Sequence, residues 1–305
     1  RAVTTRALAP AIAARSPLEM EQYRRCFATH RRPRPQCDEL ITATGSRHIA
    51  LLMEGQVHIL AVDFQQGVSL HAVQQVLDHL VENGDADSET DQAPGMLTAL
   101  PREQWARQRE ELLKETANRQ ALALLERALF VICLDTGVLP GSAGGYSANL
   151  RDGNAHNRFY DKSLQIVVME NGKAGLCFER AAVDGSVALG FAARLQAASL
   201  RLPAAGDEAV ASPQGLRPRA AGWSLSSALK RQLLAAKRSI ADRRAGRGIE
   251  TWTHTTLGSR RLKALEISPD AAVQLAIQRA LYELTGETPA IFEPVQLRHF
   301  AGGRM

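Results

Sequence analysis

Residues 164–185 read LQIVVMENGKAGLCFERAAVDG, and this stretch decides the kind of fold to expect. Leu164 to Met169 is apolar and rich in β-branched residues, the composition of a buried strand. Asn171-Gly172 follows, and both residues tolerate φ > 0, which suits a tight turn. Ala174 to Phe178 returns as the second strand of a hairpin. Beyond it Glu179-Arg180-Ala181-Ala182-Val183-Asp184-Gly185 forms a loop. Val187 to Leu195 then places apolar residues at helical spacing.

The stretches on either side extend this mixture of strands and helices. Ser16-Pro17-Leu18-Glu19 has the form of a capping box with Pro at the first helical position, which predicts a helix carrying Met20, Tyr23, Arg24 and Phe27. His48 to Met53 and Val57 to Val62 read as strands joined at Glu54-Gly55. Leu70 to Val81 reads as an amphipathic helix stopped near Asn83-Gly84, with an exposed acidic loop over 84–95. Asn118 to Asp135 is helix-rich and runs into a strand from Val131 to Leu134. Arg201 to Ala221, rich in Ala, Pro, Gly and Arg, reads as a flexible loop between two lobes or subdomains. Ser226 to Asp242 is a basic helix, and Thr251 to Leu257 alternates as a strand. Ser268-Pro269-Asp270-Ala271 caps a helix through Leu284 that Gly286 ends. Ala290 onward begins as a strand.

Composition bounds what such a chain does. At 305 residues it is long enough for a sizeable core in one or two domains. Its 45% hydrophobic and 23% charged residues are ordinary for a soluble globular protein. No apolar run approaches membrane-spanning length. The first residue is Arg and not Met, so the start of the reading frame is expected upstream. Cys26, Cys37, Cys133 and Cys177 lack close CxxC spacing and read as free thiols of a reducing compartment, with neither a disulfide framework nor a metal site.

The net charge of +5 is unevenly spread. Residues 217–263 hold twelve Lys and Arg against Asp242 and Glu250, a local +10. Such a cluster suits a polyanionic partner such as the phosphates of a nucleotide cofactor, or else forms a solvated helix face. Nucleic acid is not expected, because no aromatic interleaving or binding motif accompanies the charge.

Three segments carry a family resemblance. They are Asn157-Arg158-Phe159-Tyr160-Asp161-Lys162-Ser163-Leu164-Gln165, then Glu170-Asn171-Gly172-Lys173-Ala174-Gly175, then Phe178-Glu179 with Asp184-Gly185. Together they resemble the central signature of the choline/carnitine O-acyltransferases. Glu21 to Arg31, Cys37 to Leu40, Gly95 to Trp105 and Asn118 to Asp135 continue the resemblance in collinear order. It implies an α/β fold of chloramphenicol acetyltransferase type, a mixed sheet flanked by helices. It also implies a first lobe over residues 1–248 and the beginning of a second over 249–305, since family members are much longer.

The resemblance assigns chemistry residue by residue. In the family a His follows the Glu and serves as general base on the acceptor hydroxyl; here Arg180 stands at that place. Arg180, beside Glu179 and near Asp184, is expected to form ion pairs, and Asp184-Gly185 to hold the turn. Gly258-Ser259-Arg260-Arg261-Leu262-Lys263 and Ser268-Pro269-Asp270-Ala271 resemble the stretch that contacts CoA phosphates. This implies a CoA grip at Arg260, Lys263, Ser268 and Asp270, with acyl-CoA as co-substrate and no tightly bound cofactor or metal. Phe292 and Met305 match the family's acceptor-binding Tyr and Thr but lack their hydroxyls. The implied partners are acyl-CoA and a small hydroxylated acceptor, carnitine or choline. Two function classes stay open: a fragment of an O-acyltransferase, inactive as written, or a non-catalytic module that binds acyl-CoA or docks within a larger assembly such as a polyketide synthase.

Overall fold

The computed structural model describes residues 12–13, 16–64, 68–83, 93–137, 140–153, 155–201, 216–293, 295 and 297–303. Near the N-terminus, β1 (Ile12–Ala13) pairs with β2 (Ser16–Pro17), α1 (Glu21–Arg25) follows, and β3 (Thr29–Arg32) pairs antiparallel with β4 (Glu39–Thr42). The capping-box expectation fails here: Ser16 lies in a strand and the helix starts at Glu21. Glu19 supplies a local acceptor instead, its Oε2 taking the Glu21 N–H at 2.8 Å.

The apolar runs assemble into a six-stranded mixed sheet. β5 (His48–Met53) and β6 (Gln56–Ala61) form a hairpin whose turn residues Glu54 and Gly55 have φ of 47° and 78°. Two successive left-handed residues match the right-handed twist of the strands they join. After α2 (Leu70–Asn83), α3 (Arg102–Leu112) and α4 (Thr116–Arg127), β7 (Val131–Asp135) lies parallel to β5. α5 (Ala143–Asp152) leads to β8 (Leu164–Met169), parallel to β7, and β9 (Ala174–Phe178) closes this edge antiparallel to β8. α6 (Gly185–Ser199) follows, and β10 (Arg219–Ala221) pairs with β6 to give the order β10-β6-β5-β7-β8-β9. The mixed sheet with flanking helices is the architecture expected.

Alternation of side chains builds a core on each face of the sheet. Ala50 and Leu52 pack with Leu122 and Leu125 of α4 on one face. Ile49, Leu51 and Met53 pack with Val76 and Leu80 of α2 on the other. Tyr23 and Cys26 join Leu164, Val183 and Val187 in a cluster that seats α1 on α6. A fourth cluster gathers Met96, Leu97, Trp105 and Ala155 under Leu229, Leu233 and Ala236 of α7 (Ser227–Ala245).

Between these clusters runs a buried polar spine. Arg158 and Asp135 are fully buried and meet through two 2.7 Å hydrogen bonds, Nη1 to Oδ1 and Nη2 to Oδ2. Asn157 donates to the Leu134 carbonyl at 2.8 Å, and Gln165 accepts the Phe159 N–H at 2.8 Å. Lys162 Nζ donates to the Glu126 carbonyl at 2.7 Å, and Ser163 Oγ to that of Cys26 at 3.0 Å. Asp161 accepts from Trp105 Nε1 at 2.6 Å and from Arg102 at 2.5 Å. The segment that carries the family signature is therefore the polar framework of the sheet.

The chain divides into two compact units, Arg1–Ile249 with Leu297–Met305, and Glu250–Gln296. In the first, Arg298 donates to the Glu19 carbonyl from Nε at 2.9 Å and Nη2 at 2.7 Å, bringing the C-terminal segment back to α1. The second holds α8 (Ser259–Ala264) and α9 (Pro269–Thr285), with Ser268 as N-cap and Gly286 in the left-handed C-terminal position. Three sequence expectations need correction. Arg219–Ala221 of the stretch read as loop is a sheet strand. Thr251 to Leu257 and the described residues from Ala290 form no strand, since neither segment joins a β-ladder. Residues 84–92 and 202–215, read as loops, lie outside the described residues. Among the described residues no helix is long and apolar enough to cross a membrane.

Candidate active site

β9 ends at Phe178, and the chain turns through Glu179–Asp184 before entering α6. The turn is held from inside. The Glu179 carbonyl accepts the N–H groups of Ala182 and Val183 at 3.0 and 3.1 Å. The Glu179 carboxylate accepts the Ala181 N–H at 2.8 Å and faces Arg31 Nη1 at 3.4 Å. Glu179 is thus committed to local structure and to β3. Arg180 is exposed in this turn.

Asp184 occupies the N-cap position of α6, yet its side chain makes no cap hydrogen bond. Gln22 of α1, fully buried, holds it instead. Gln22 Nε2 donates to Asp184 Oδ2 at 2.6 Å, and Gln22 Oε1 accepts the Asp184 N–H at 2.9 Å. One amide therefore fixes both the backbone and the carboxylate of Asp184. The expectation that Asp184-Gly185 holds the turn gains a partner the sequence reading passed over. Gln22 and Arg31 both lie in a segment quoted for its resemblance, but nothing in their spacing reveals that they reach across to residues 179 and 184.

A chain of ion pairs continues outward from Glu179. Arg31 Nε meets Asp38 Oδ2 at 2.6 Å, and Arg102 Nε meets the same oxygen at 2.6 Å. Arg102 also holds Asp161, whose carboxyl burial pushes up to about 6 against the opposing charge of Arg102. A second buried cluster surrounds Glu126, which pairs with Arg109 at 2.7 Å, Arg32 at 3.6 Å and His30 at 3.4 Å. Burial, reinforced by the charge of Lys162, brings His30 down to about 3. Burial brings Lys162 down to about 7. His30 is therefore neutral and enclosed, remote in chemistry from a base that must meet substrate. Burial also pushes the Cys26 and Cys133 thiols up to about 12, so neither is a poised nucleophile.

Of the remaining expected site residues, Arg260, Lys263, Ser268, Asp270 and Phe292 fall in the second unit. Arg260 and Lys263 are exposed on α8, and Ser268 and Asp270 stand at the start of α9, where Ser268 Oγ accepts the Ala271 N–H at 3.4 Å. Glu293 hydrogen-bonds Asp270, and that contact with its negative charge holds the Glu293 carboxyl above its usual value. Phe292 is exposed, and Met305 lies outside the described residues. Glu179, Arg180 and Asp184 share one turn with Gly185 opening α6, while Arg260 and Lys263 lie on α8, and Ser268 caps α9 with Asp270 in its first turn. Among the described residues no cluster of three or more His, Cys, Asp or Glu has the form of a metal site.

With this geometry in place, the comparisons with known proteins become specific. A model of the family described as Choline/Carnitine o-acyltransferase matches residues 1–305. Carnitine O-palmitoyltransferase 2, mitochondrial, from Xenopus tropicalis is 32% identical over 296 residues, covering 94% of this chain and 44% of the relative. Carnitine O-acetyltransferase from Mus musculus is 27% identical, covering 94% and 48%. Choline O-acetyltransferase from Danio rerio is 27% identical, covering 95% and 47%. The chain spans less than half the length of these relatives.

Proposed function

This chain belongs to the choline/carnitine O-acyltransferase family, and we propose that it keeps the family's scaffold while lacking acyl transfer as written. The observation that carries the reading is Arg180 in the loop between β9 and α6, where the resemblance expects the general base. A guanidinium is protonated at every accessible pH and cannot accept a proton from an acceptor hydroxyl. The residues around it favour scaffold over replacement chemistry: Glu179 is spent on Ala181 and Arg31, and Asp184 on Gln22.

In this reading acyl-CoA is the co-substrate or the bound ligand, and Arg260, Lys263, Ser268 and Asp270 meet it. The positions that the resemblance gives to acceptor binding, Phe292 and Met305, carry no hydroxyl to offer it. Residues 1–248 form the first lobe and residues 249–305 begin a second; the compact-unit boundary at Ile249 supports the first division, although Leu297–Met305 groups with the first unit. Free thiols at Cys26, Cys37, Cys133 and Cys177 fit a reducing compartment. Such a chain works as an acyl-CoA-binding or docking part of a larger assembly.

The test is release of free CoA thiol from acetyl-CoA with carnitine present. The unmodified chain is expected to show no carnitine-dependent release, and Arg180→His alone to show none either. The substitution supplies a base, worth roughly two to four orders of magnitude in rate. It leaves the hydroxyls missing at Phe292 and Met305 unsupplied. Carnitine-dependent turnover by the unmodified chain would overturn the proposal. Turnover appearing only with His at 180 would reduce the difference from active relatives to that one side chain.

A further inference from the structure

We infer that the cleft bounded by α7, the turn at 94–99 and residues Gly153, Ala155 and His156 is a binding site for an organic phosphate with an apolar body. The cleft is independent of the proposed acyl-transfer site. Its residues Met96, Ala155 and Ile240 belong to the cluster around α7, whereas the Glu179–Asp184 turn lies in the cluster that joins α1 and α6.

The cleft is about 490 Å³, within the range that holds a small organic ligand. α7 contributes Lys237, Ile240, Ala241 and Arg244 to one wall. That spacing of three, four and seven residues puts all four on one helical face. The alanine leaves the hollow that a longer side chain would fill. The facing wall brings Met96 and His156. The cleft therefore combines two cations, Lys237 and Arg244, with the apolar side chains of Met96, Ile240 and Ala241. A neighbouring hollow of about 200 Å³ shares Ile240 and adds Arg151, Arg243 and Arg247. Among the described residues no carboxylate lines either hollow. This is where the basic stretch seen in the sequence becomes a shaped surface.

His156 also lines the cleft. Its Nε2 is buried and makes no hydrogen bond, and its nearest anion is Glu54 Oε2 at 3.7 Å. Burial lowers its pKa despite Glu54, so the imidazole is neutral near pH 7. A phosphate monoester would meet the Lys237 ammonium and the Arg244 guanidinium in charge-assisted hydrogen bonds. Its organic group would cover Met96 and Ile240. An inorganic anion would gain only the first set of contacts.

Phenyl phosphate is the probe, titrated into the full chain carrying [methyl-13C]methionine. The Met96 methyl resonance is expected to shift saturably. Lys237→Gln combined with Arg244→Gln, both on the exposed face of α7, is expected to weaken binding at least tenfold. Inorganic phosphate is expected to bind at least tenfold more weakly than phenyl phosphate. Ala241→Trp, which fills the hollow from the helix side, is expected to abolish the shift and serves if the double variant does not fold. An unmoved Met96 methyl, binding that ignores both variants, or equal affinity for inorganic phosphate would each overturn the assignment.

Discussion

At the scale of single residues, the polar spine makes stability depend on pH in a definite way. Lys162 titrates at about 7 in the fold against an ordinary 10.5, because burial disfavours its charged form. Between those values the unfolded chain holds a proton that the fold has released, so stability rises with pH by about 1.4 kcal/mol per unit. Cys26 and Cys133 act oppositely. Burial holds both at about 12 against an ordinary 9.0, so above 9 the fold keeps two protons that the unfolded chain loses. Two falling contributions outweigh one rising one, and stability is expected to peak near pH 9. On the acid side His30, at about 3 against 6.5, costs stability as pH falls. Asp161, at about 6 against 3.8, offsets that cost between those two values, because there the fold holds the extra proton. Urea unfolding from pH 6 to 11 measures the profile, and Lys162→Met should flatten the rise between 7 and 9. An unchanged slope in that variant would remove Lys162 as its source. The same residues explain what was legible at this scale. The signature from Asn157 to Gln165 was recognisable because its side chains hold the sheet together, a requirement of folding. Arg180 was equally plain, since a changed residue in an otherwise matching loop stands out. Gln22 was hidden, because its partner lies 162 positions away in sequence.

At the scale of elements, local signals succeeded where they sufficed and failed where pairing decided. Ser226 and Ser268 cap α7 and α9, and Gly286 ends α9, each a signal carried within a few residues. β10 escaped notice because Arg219-Ala220-Ala221 has no apolar alternation; it is a strand only because β6 offers an edge. Thr251 to Leu257 has the alternation yet pairs with no strand among the described residues. The seat of α6 on α1 rests on a missing side chain. A Cβ placed at Gly190 would lie 2.4 Å from Tyr23 Oη. Gly190→Ala is therefore expected to destabilise the first unit by about 1–3 kcal/mol, the usual cost of overpacking, despite the better helix propensity of Ala. Tyr23→Phe removes the obstructing oxygen, so the double variant should recover most of that loss. A double-mutant cycle in urea checks it; strictly additive effects would show that the contact is not the cause.

At the scale of the whole molecule, the two units differ in what they bury. The sheet is enclosed by packed clusters, whereas α9 buries none of its residues, and Leu275, Tyr282, Leu284 and Phe292 are 64%, 55%, 83% and 86% exposed. Amide hydrogen exchange should therefore be fast across 250–296 and slow in β5, β7 and β8, since protection follows buried contact. Equal protection in both would contradict this division. The return of the chain at Arg298 has a further consequence. The polypeptide leaves the first unit at Ile249 and rejoins it at Leu297, so everything between is a loop fastened at both ends. One fastening is the covalent chain; the other is a clasp of hydrogen bonds from Arg298 to Glu19, with the guanidinium 5.4 Å above the Tyr23 ring. A protease cut inside the loop would leave both pieces still joined through the clasp. The same clasp grips Glu19, just ahead of α1 and three residues before the glutamine that secures Asp184. Unfastening the tail thus loosens the footing on which the loop containing Arg180 stands.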